Sequence, residues 1–301
     1  MDIFINDVKI DFQLENEKSI KDIVSGLSGW ASSEGVQLQN IRIDDKDYDS
    51  ADSSFSTMEL NGIGKIEVAA KSILQIHEEN LQLLHQYISL MKKSVEGKNI
   101  KLIDDLKSDI DSVSALLADF LGEDIGAQQS ISCQLKTRLT ALHTDGRSLA
   151  AEETEPLLNM LTALDIILKE RIAELANPYG ELQKTVNAMK SSIEEINNIS
   201  VLLQTGKDRE ALSSIIKFSE LSQKVLRIYS VLSNSGLLDV ESIDIDGMKF
   251  SDFYNELNSI LTELLEAFTA NDSVLIGDLL EYEIAPRSES LIKALELIRE
   301  D

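Results

Sequence analysis

Two Gly-Lys pairs have the residue types that could bind phosphate. Gly206-Lys207 lies in the run TGKDRE, and Gly97-Lys98 lies in the run EGKNIK. A phosphate-binding P-loop needs the pattern GxxxxGK[ST] after a buried strand, so that several backbone N–H groups converge on the anion. Neither pair has the upstream glycine, the following Ser or Thr, or a preceding strand pattern. We therefore interpret both as helical corners and predict no nucleotide site.

The two corners also predict how the flanking helices end and begin. A glycine at a helix end can adopt the left-handed backbone at little cost, which is the role expected of Gly97 and Gly206. The next helix needs a side-chain oxygen as its N-cap. Asn99 and Asp208 follow the two Gly-Lys pairs and are the predicted caps.

A cluster of aspartates resembles the start of a calcium-binding loop. Asp45, Asp47 and Asp49 occupy positions one, three and five of such a loop. The pattern then fails, because Ser50 stands where a glycine is needed and Ser56 where a bidentate glutamate is needed. A solvated acidic loop is the preferred interpretation, and weak calcium binding by residues 44–52 is left open.

The histidines and the single cysteine do not form a recognisable reactive group. His77 and His85 are eight residues apart, whereas metal-binding pairs on helices are usually three or four apart. Cys133 lies in a helical pattern, where a buried and unreactive thiol is expected. No Ser-His-Asp or Cys-His pattern is evident. We predict no catalytic residue, no metal site, no cofactor and no enzyme; an enzyme using scattered carboxylates is the least favoured alternative.

The charge balance excludes several classes of partner. The chain has 301 residues, with 28 basic and 53 acidic side chains and a formal net charge of -25. Such a surface repels nucleic acid and anionic lipid, because it gains nothing from counterion release. We predict no nucleic-acid and no membrane partner. The sequence shows no signal peptide and no apolar run of transmembrane length, so a cytoplasmic location is expected.

Residues 1–70 alternate apolar and polar residues in short runs. The runs DIFIN and VKIDFQL flank Asn6-Asp7, a helical pattern follows, and LQNIRID and KIEVAA alternate again. This order resembles the β-grasp fold of ubiquitin-like and sulfur-carrier proteins. The resemblance implies a small sheet packed on one helix. The free Gly-Gly end that sulfur carriers use is absent, since Ala69-Ala70-Lys71 continues into a helix.

From residue 71 onward the apolar spacing predicts helices almost to the end of the chain. Eight are expected, near residues 73–91, 100–121, 128–143, 150–176, 179–204, 209–233, 251–270 and 273–299. The Gly-Lys corners and the similar runs LTALHTDGRSL and LEAFTANDSVL indicate two related antiparallel four-helix units, 71–176 and 177–301. The predicted fold class is α+β, mainly α.

Two features of the second unit depart from a plain bundle. Asp246-Gly247 is a strong hairpin signal and predicts a short β-hairpin insertion at residues 243–250. Pro286 falls inside the last helical pattern, where it would delete a backbone hydrogen bond and kink the helix.

The second unit resembles the flagellin export chaperones, which are small antiparallel helical bundles. The resemblance rests on the runs INNISVLLQTGKDREALSSIIKFSELSQKVLRIYSVL and LNSILTELLEAFTANDSVLIGDLLEYEI. It implies a non-enzymatic, chaperone- or adaptor-like protein that binds a partner, flagellar or exported. The whole chain also resembles a type of uncharacterised bacterial protein.

Apolar residues between the helices would then bind an amphipathic helical segment of that partner. The candidate partner-binding residues are on one predicted helix, and the bundle core is the alternative role for all of them: Leu257, Ile260, Leu261, Leu264 and Phe268. A structural scaffold that self-associates, as a homodimer for example, is the alternative function.

Overall fold

The computed structural model describes residues 1–10, 19–49, 53–56, 58, 60–124, 127, 129–142, 149–239 and 243–299. The fold class is α+β, mainly α, as predicted, with the larger sheet at the N-terminus. Backbone contacts divide the chain into two units, residues 1–158 and 159–301. The division falls within the helix Ala151–Ala176.

The first unit begins with a five-stranded mixed sheet packed on one helix. Its strand order is β2-β1-β5-β3-β4, and the central pair β1 and β5 is parallel. This agrees with the small sheet packed on one helix expected from the sequence, and it has one strand more than the four predicted. The elements are β1 Asp2–Ile5, β2 Val8–Ile10, α1 Ile20–Ser33, β3 Val36–Ile43, β4 Lys46–Asp49 and β5 Lys65–Ser72, with a 3₁₀ turn Ser53–Ser56.

The core of this sheet domain follows the alternation in the sequence. Ile3 and Ile5 of β1 and Ile66 and Val68 of β5 are buried, and the intervening residues face outward. The helix α1 buries one stripe of side chains against the sheet, namely Ile20, Ile23, Val24, Leu27 and Ala31. The capping box between Ser19 and Asp22 fixes where α1 begins.

Strand β4 lies where the sequence predicted an acidic loop. Asp44 and Asp45 have φ angles of 42° and 67°, which turn β3 back on itself. Tyr48 then lies 5.7 Å from Phe55 between ring centroids, and Phe55 is buried. The strand was missed because its pairing depends on that turn and on a distant aromatic ring, whereas its own composition is polar.

The rest of the first unit is helical, and one long predicted helix is divided. The described helices are α2 Ile73–Glu96, α3 Ile100–Lys107, α4 Ile110–Leu121 and α5 Ile131–Ala141, followed by the first part of α6 Ala151–Ala176. The prediction of a single helix over 100–121 is wrong. At the break, Ser108 donates its hydroxyl to the Asp105 carbonyl at 2.7 Å, and Tyr87 donates to the Leu106 carbonyl at 2.9 Å.

The two Gly-Lys corners have different backbones. Gly206 has a φ of +71°, as predicted, but at the first corner Gly97 has a φ of -81° and Lys98 takes the left-handed conformation, with a φ of 52°. Asn99 caps α3 by accepting from the Leu102 N–H at 3.2 Å. The prediction that Asp208 is the N-cap of the next helix is wrong, because α9 already begins at that residue.

The second unit contains an antiparallel bundle. Its described elements are the remainder of α6, α7 Pro178–Asn197, α8 Ile199–Gln204, α9 Asp208–Asn234, α10 Phe250–Ala270, α11 Ser273–Asp278, a π-helical turn Leu279–Ile284 and α12 Ala285–Glu296. Helix α7 packs on α9 and α12, whereas α10 packs on α11 and the π-helical turn. One apolar core joins these helices.

A two-stranded hairpin precedes α10. Strands β6 Asp244–Ile245 and β7 Met248–Lys249 pair around Asp246-Gly247, both of which have positive φ angles. Ile245 is buried in the bundle core and Met248 packs against it. The hairpin therefore contributes apolar side chains to the core of the second unit.

The last helical segment accommodates Pro286 in a different way from a simple kink. Pro286 is near the N-terminus of α12, directly after the π-helical turn. A π-helical turn holds more residues than an α-helical one, and here it brings Leu279, Leu280 and Ile284 into the core. The wide turn lies just before the position where proline removes a backbone donor.

Candidate functional site

The five candidate partner-binding residues lie inside the second unit. Leu257, Leu261 and Leu264 are buried, and Ile260 and Phe268 are partly buried against the same core. In this structure they hold α10 in the bundle, which is the alternative role that the sequence left open. The residues of α10 that a partner could reach most readily are those on its outer face.

The outer face of α10 has a shallow surface depression of about 400 Å³, called the groove below, whose lining residues all belong to this one helix. Leu265 is its largest apolar residue and is 41% exposed. The lining residues recur at spacings of three and four, so they form one stripe along the helix: Thr262, Leu265, Glu266, Thr269 and Ala270. A partner helix with anchors at the same spacing could lie along this stripe.

The two threonines make this stripe more apolar than its composition indicates. The Thr262 hydroxyl donates to the Asn258 carbonyl at 2.9 Å, and the Thr269 hydroxyl donates to the Leu265 carbonyl, also at 2.9 Å. Hydroxyls bonded back to their own helix are occupied. We infer that a ligand in the groove would contact mainly carbon atoms, with Glu266 as the polar exception.

The charge around the groove has one sign. Helix α10 contains Asp252, Glu256, Glu263 and Glu266 and no lysine or arginine. Glu256 lies 3.6 Å from Arg287. Among the described residues, Glu263 and Glu266 have no ion-pair partner. These two free carboxylates beside an apolar groove would attract a ligand that carries both apolar and cationic side chains.

A buried ion-pair network was not predicted from the sequence. Glu174 of α6 is 2% exposed and accepts from Arg171, at 3.1 Å, and from Arg227 of α9, at 3.0 Å. Burial raises the pKa of Glu174 to about 7, although Arg171 acts to lower it. A buried carboxylate with a raised pKa is sometimes a catalytic acid or base. Here both of its oxygens are bound by guanidinium groups, so we assign it a structural role.

The same network continues to α7 through Lys224. Its ammonium group lies 2.9 Å from Glu170 and 3.0 Å from Glu181. A hydrogen bond from Lys184 is the main cause of the lowered pKa of Glu181. These contacts tie α6, α7 and α9 together. The sequence gives no signal for them, because each residue resembles an ordinary surface charge until the helices are packed.

The predicted acidic loop has structural roles in its described part. The Asp44 carboxylate accepts from the Gly64 and Lys65 N–H groups at 3.0 Å and 2.9 Å. Asp47 pairs with Arg42 at 2.9 Å, and Asp45 lies in the turn before β4. Residues 50–52 lie outside the described residues. The Asp44 and Asp47 carboxylates are therefore used in contacts within the sheet domain.

The histidines and the cysteine are placed separately. The His77 ring lies 6.1 Å from the ring of Phe120 between centroids. Cys133 is a partly buried free thiol on α5. His143 lies outside the described residues. Over the part of the chain that the structure describes, no three His, Cys, Asp or Glu side chains form a group that could hold a metal ion.

Comparison with known proteins finds two matched segments. Residues 1–72 match the family described as TP0873 N-terminal domain, which covers the sheet domain. Residues 180–294 match a domain of unknown function (DUF8042), which covers the bundle and the outer face of α10. No solved structure matches the chain.

One relative is an uncharacterised protein of Treponema pallidum (strain Nichols). It is 26% identical over 167 residues, which are 55% of this chain and 82% of the relative. The chain is therefore similar to an uncharacterised bacterial protein, as the sequence analysis expected. Among the described helices, none is both long and apolar enough to cross a membrane.

Proposed function

We propose that this chain is a non-enzymatic protein-binding module, chaperone- or adaptor-like, that holds an amphipathic helical segment of a partner. The observation that carries the proposal is the apolar groove on the outer face of α10, lined by Leu265 and its neighbours. An exposed apolar stripe beside unpaired carboxylates has no evident role in stabilising the bundle itself.

The same features define the partner segment. Anchors at i, i+3, i+4 and i+7 would contact Leu265 and the carbon atoms of Thr262 and Thr269. Lysine or arginine beside those anchors would pair with Glu263 and Glu266. The net charge of -25 would speed the encounter with such a segment and repel acidic ones.

An export-chaperone role in the cytoplasm is the more specific form of this proposal. It rests on the resemblance of the second unit to flagellin export chaperones, which are small antiparallel bundles. In this form the partner is a flagellar or exported protein, and binding keeps its amphipathic segment from aggregating before export. No nucleic acid, membrane, metal or cofactor takes part in it.

The test is affinity capture from the native cell with three forms of the chain. The wild-type chain should enrich a defined partner with a basic amphipathic segment. The Leu265→Glu variant should capture at least tenfold less of that partner. Leu226→Glu on α9 is the matched control, because Leu226 is 37% exposed, close to the 41% of Leu265. Equal capture by Leu265→Glu and wild type would refute the groove as the binding surface.

A further inference from the structure

Helix α2 in the first unit has an apolar stripe that faces away from its own core. Leu83 is 58% exposed and Leu90 is 46% exposed. Together with the partly buried Ile76, they recur every seven residues on one side of the helix. Side chains that recur every seven residues lie in one line along a helix, and such a line is one of the two apolar positions per heptad through which helices pair.

This stripe is separate from the one that packs α2 within its unit. The inward side chains of the helix are buried, namely Leu81, Leu84, Ile88, Met91 and Val95. The fold of the first unit is therefore satisfied without Leu83 and Leu90. Their exposure leaves a helix of 24 residues, about 36 Å long, with an unpartnered apolar edge.

The polar residues beside the stripe recur at the same seven-residue spacing. Their charge is negative at one end of the stripe and positive at the other. Glu79, Gln86 and Lys93 also recur every seven residues and lie next to Ile76, Leu83 and Leu90. Glu79 lies 2.7 Å from Lys71 of the same chain. Lys93 has no ion-pair partner within the described part of the chain.

This order of charges is self-complementary in one orientation only. If a second α2 lies antiparallel, with Gln86 beside Gln86, Lys93 of each chain faces Glu79 of the other. A parallel arrangement would instead place Glu79 beside Glu79 and Lys93 beside Lys93, which is repulsive. A two-fold symmetric pair needs such a self-complementary surface.

We propose that the partner for this stripe is a second copy of the chain, paired antiparallel through α2. Leu83 of one copy packs near Leu90 of the other, and the two Glu79–Lys93 pairs close the ends. The proposal does not depend on the groove of α10, because it uses another helix in another unit.

Sedimentation equilibrium of the full chain over a range of concentrations tests this pairing. Wild type should show a monomer–dimer equilibrium, and the double variant Leu83→Glu, Leu90→Glu should stay monomeric where wild type dimerises. Leu265→Glu on α10 is the matched control and should leave the dimer unchanged. A wild-type chain that is monomeric at every concentration, or a double variant that still dimerises, would overturn the proposal.

Charge reversal at two exposed residues tests the orientation, and Glu79→Lys also removes the ion pair of Glu79 with Lys71. Glu79→Lys and Lys93→Glu should each weaken the dimer by about tenfold, since each removes two symmetric pairs and adds repulsion. The combined reversal should restore the dimer. Residues 79 and 93 lie about 21 Å apart along one helix, so rescue can come only from a second chain. Failure of the combined variant to recover would overturn the antiparallel arrangement.

Discussion

At the scale of single residues, exposure separates two kinds of leucine on α10. Leu257 is fully buried in the bundle core, whereas Leu265 is 41% exposed in the groove. The sequence could place both on one amphipathic helix but could not tell which stripe faces the core. That assignment depends on α11 and the π-helical turn, which pack on α10.

Truncating these leucines should therefore have different effects. Leu257→Ala leaves a cavity and should lower the free energy of unfolding by about 2–5 kcal/mol. Leu265→Ala should change it by less than about 0.5 kcal/mol, because surface changes are usually small. Urea denaturation of both variants checks this. A large loss of stability in Leu265→Ala would mean that the groove residue supports the fold.

Glu174 gives a prediction about pH. Its folded pKa of about 7 lies above the ordinary value of 4.5, so between these values the folded state keeps a proton that the unfolded state has released. The protonated Glu174 side chain then makes its full contribution to the free energy of unfolding below pH 4.5. This contribution is lost as the pH rises to 7. Glu174→Gln does not titrate.

Melting temperatures of wild type and Glu174→Gln, measured from pH 5 to pH 8, check this linkage. The variant should gain stability relative to wild type as the pH rises. A constant difference between wild type and Glu174→Gln would show that the two arginines hold the carboxylate ionised throughout.

At the scale of elements, several ends are fixed by local side-chain and turn chemistry. The Asn6-Asp7 turn joins β1 to β2 with positive φ angles. Asn177 caps α7 by accepting from the Gly180 N–H at 2.9 Å. Asp272 caps α11 by accepting from the Leu275 N–H at 3.1 Å. Each of these signals lies within four residues of the end that it fixes.

The elements that the sequence missed depend on distant contacts. Strand β4 needs β3 and Phe55, and the break between α3 and α4 is held partly by Tyr87 of α2. The corner at Gly97 differs from the one at Gly206 because Lys98 takes the strained conformation there. The two corners therefore have similar sequences but different backbone conformations.

The corners give a prediction at this scale. Gly206→Ala should lower the free energy of unfolding by about 1 kcal/mol, because alanine disfavours a φ of +71° and no neighbouring atom lies within 4 Å to be displaced. Lys98→Gly should raise stability, since it relieves a left-handed lysine. Chemical denaturation of both variants measures this. Destabilisation by Lys98→Gly would show that its side chain contributes more than its backbone costs.

At the scale of the whole molecule, the second unit holds a complete apolar core and its own ion pairs. The core cluster spans residues 182–298, and the network of Glu174 with Arg227 lies within residues 159–301. A fragment of residues 159–301 should therefore be helical and should unfold in one cooperative thermal transition by circular dichroism. Gradual loss of helicity without a transition would show that this unit needs the rest of the chain.

The most direct test of the proposed function is photo-crosslinking from α10 in the native cell. A photoreactive amino acid at position 265 should form adducts with one partner, mapped to a basic amphipathic segment. The same amino acid at position 226 should not form them. If position 265 gives no adduct, or both positions give the same adducts, the groove is not a specific protein-binding surface and the proposed function is wrong.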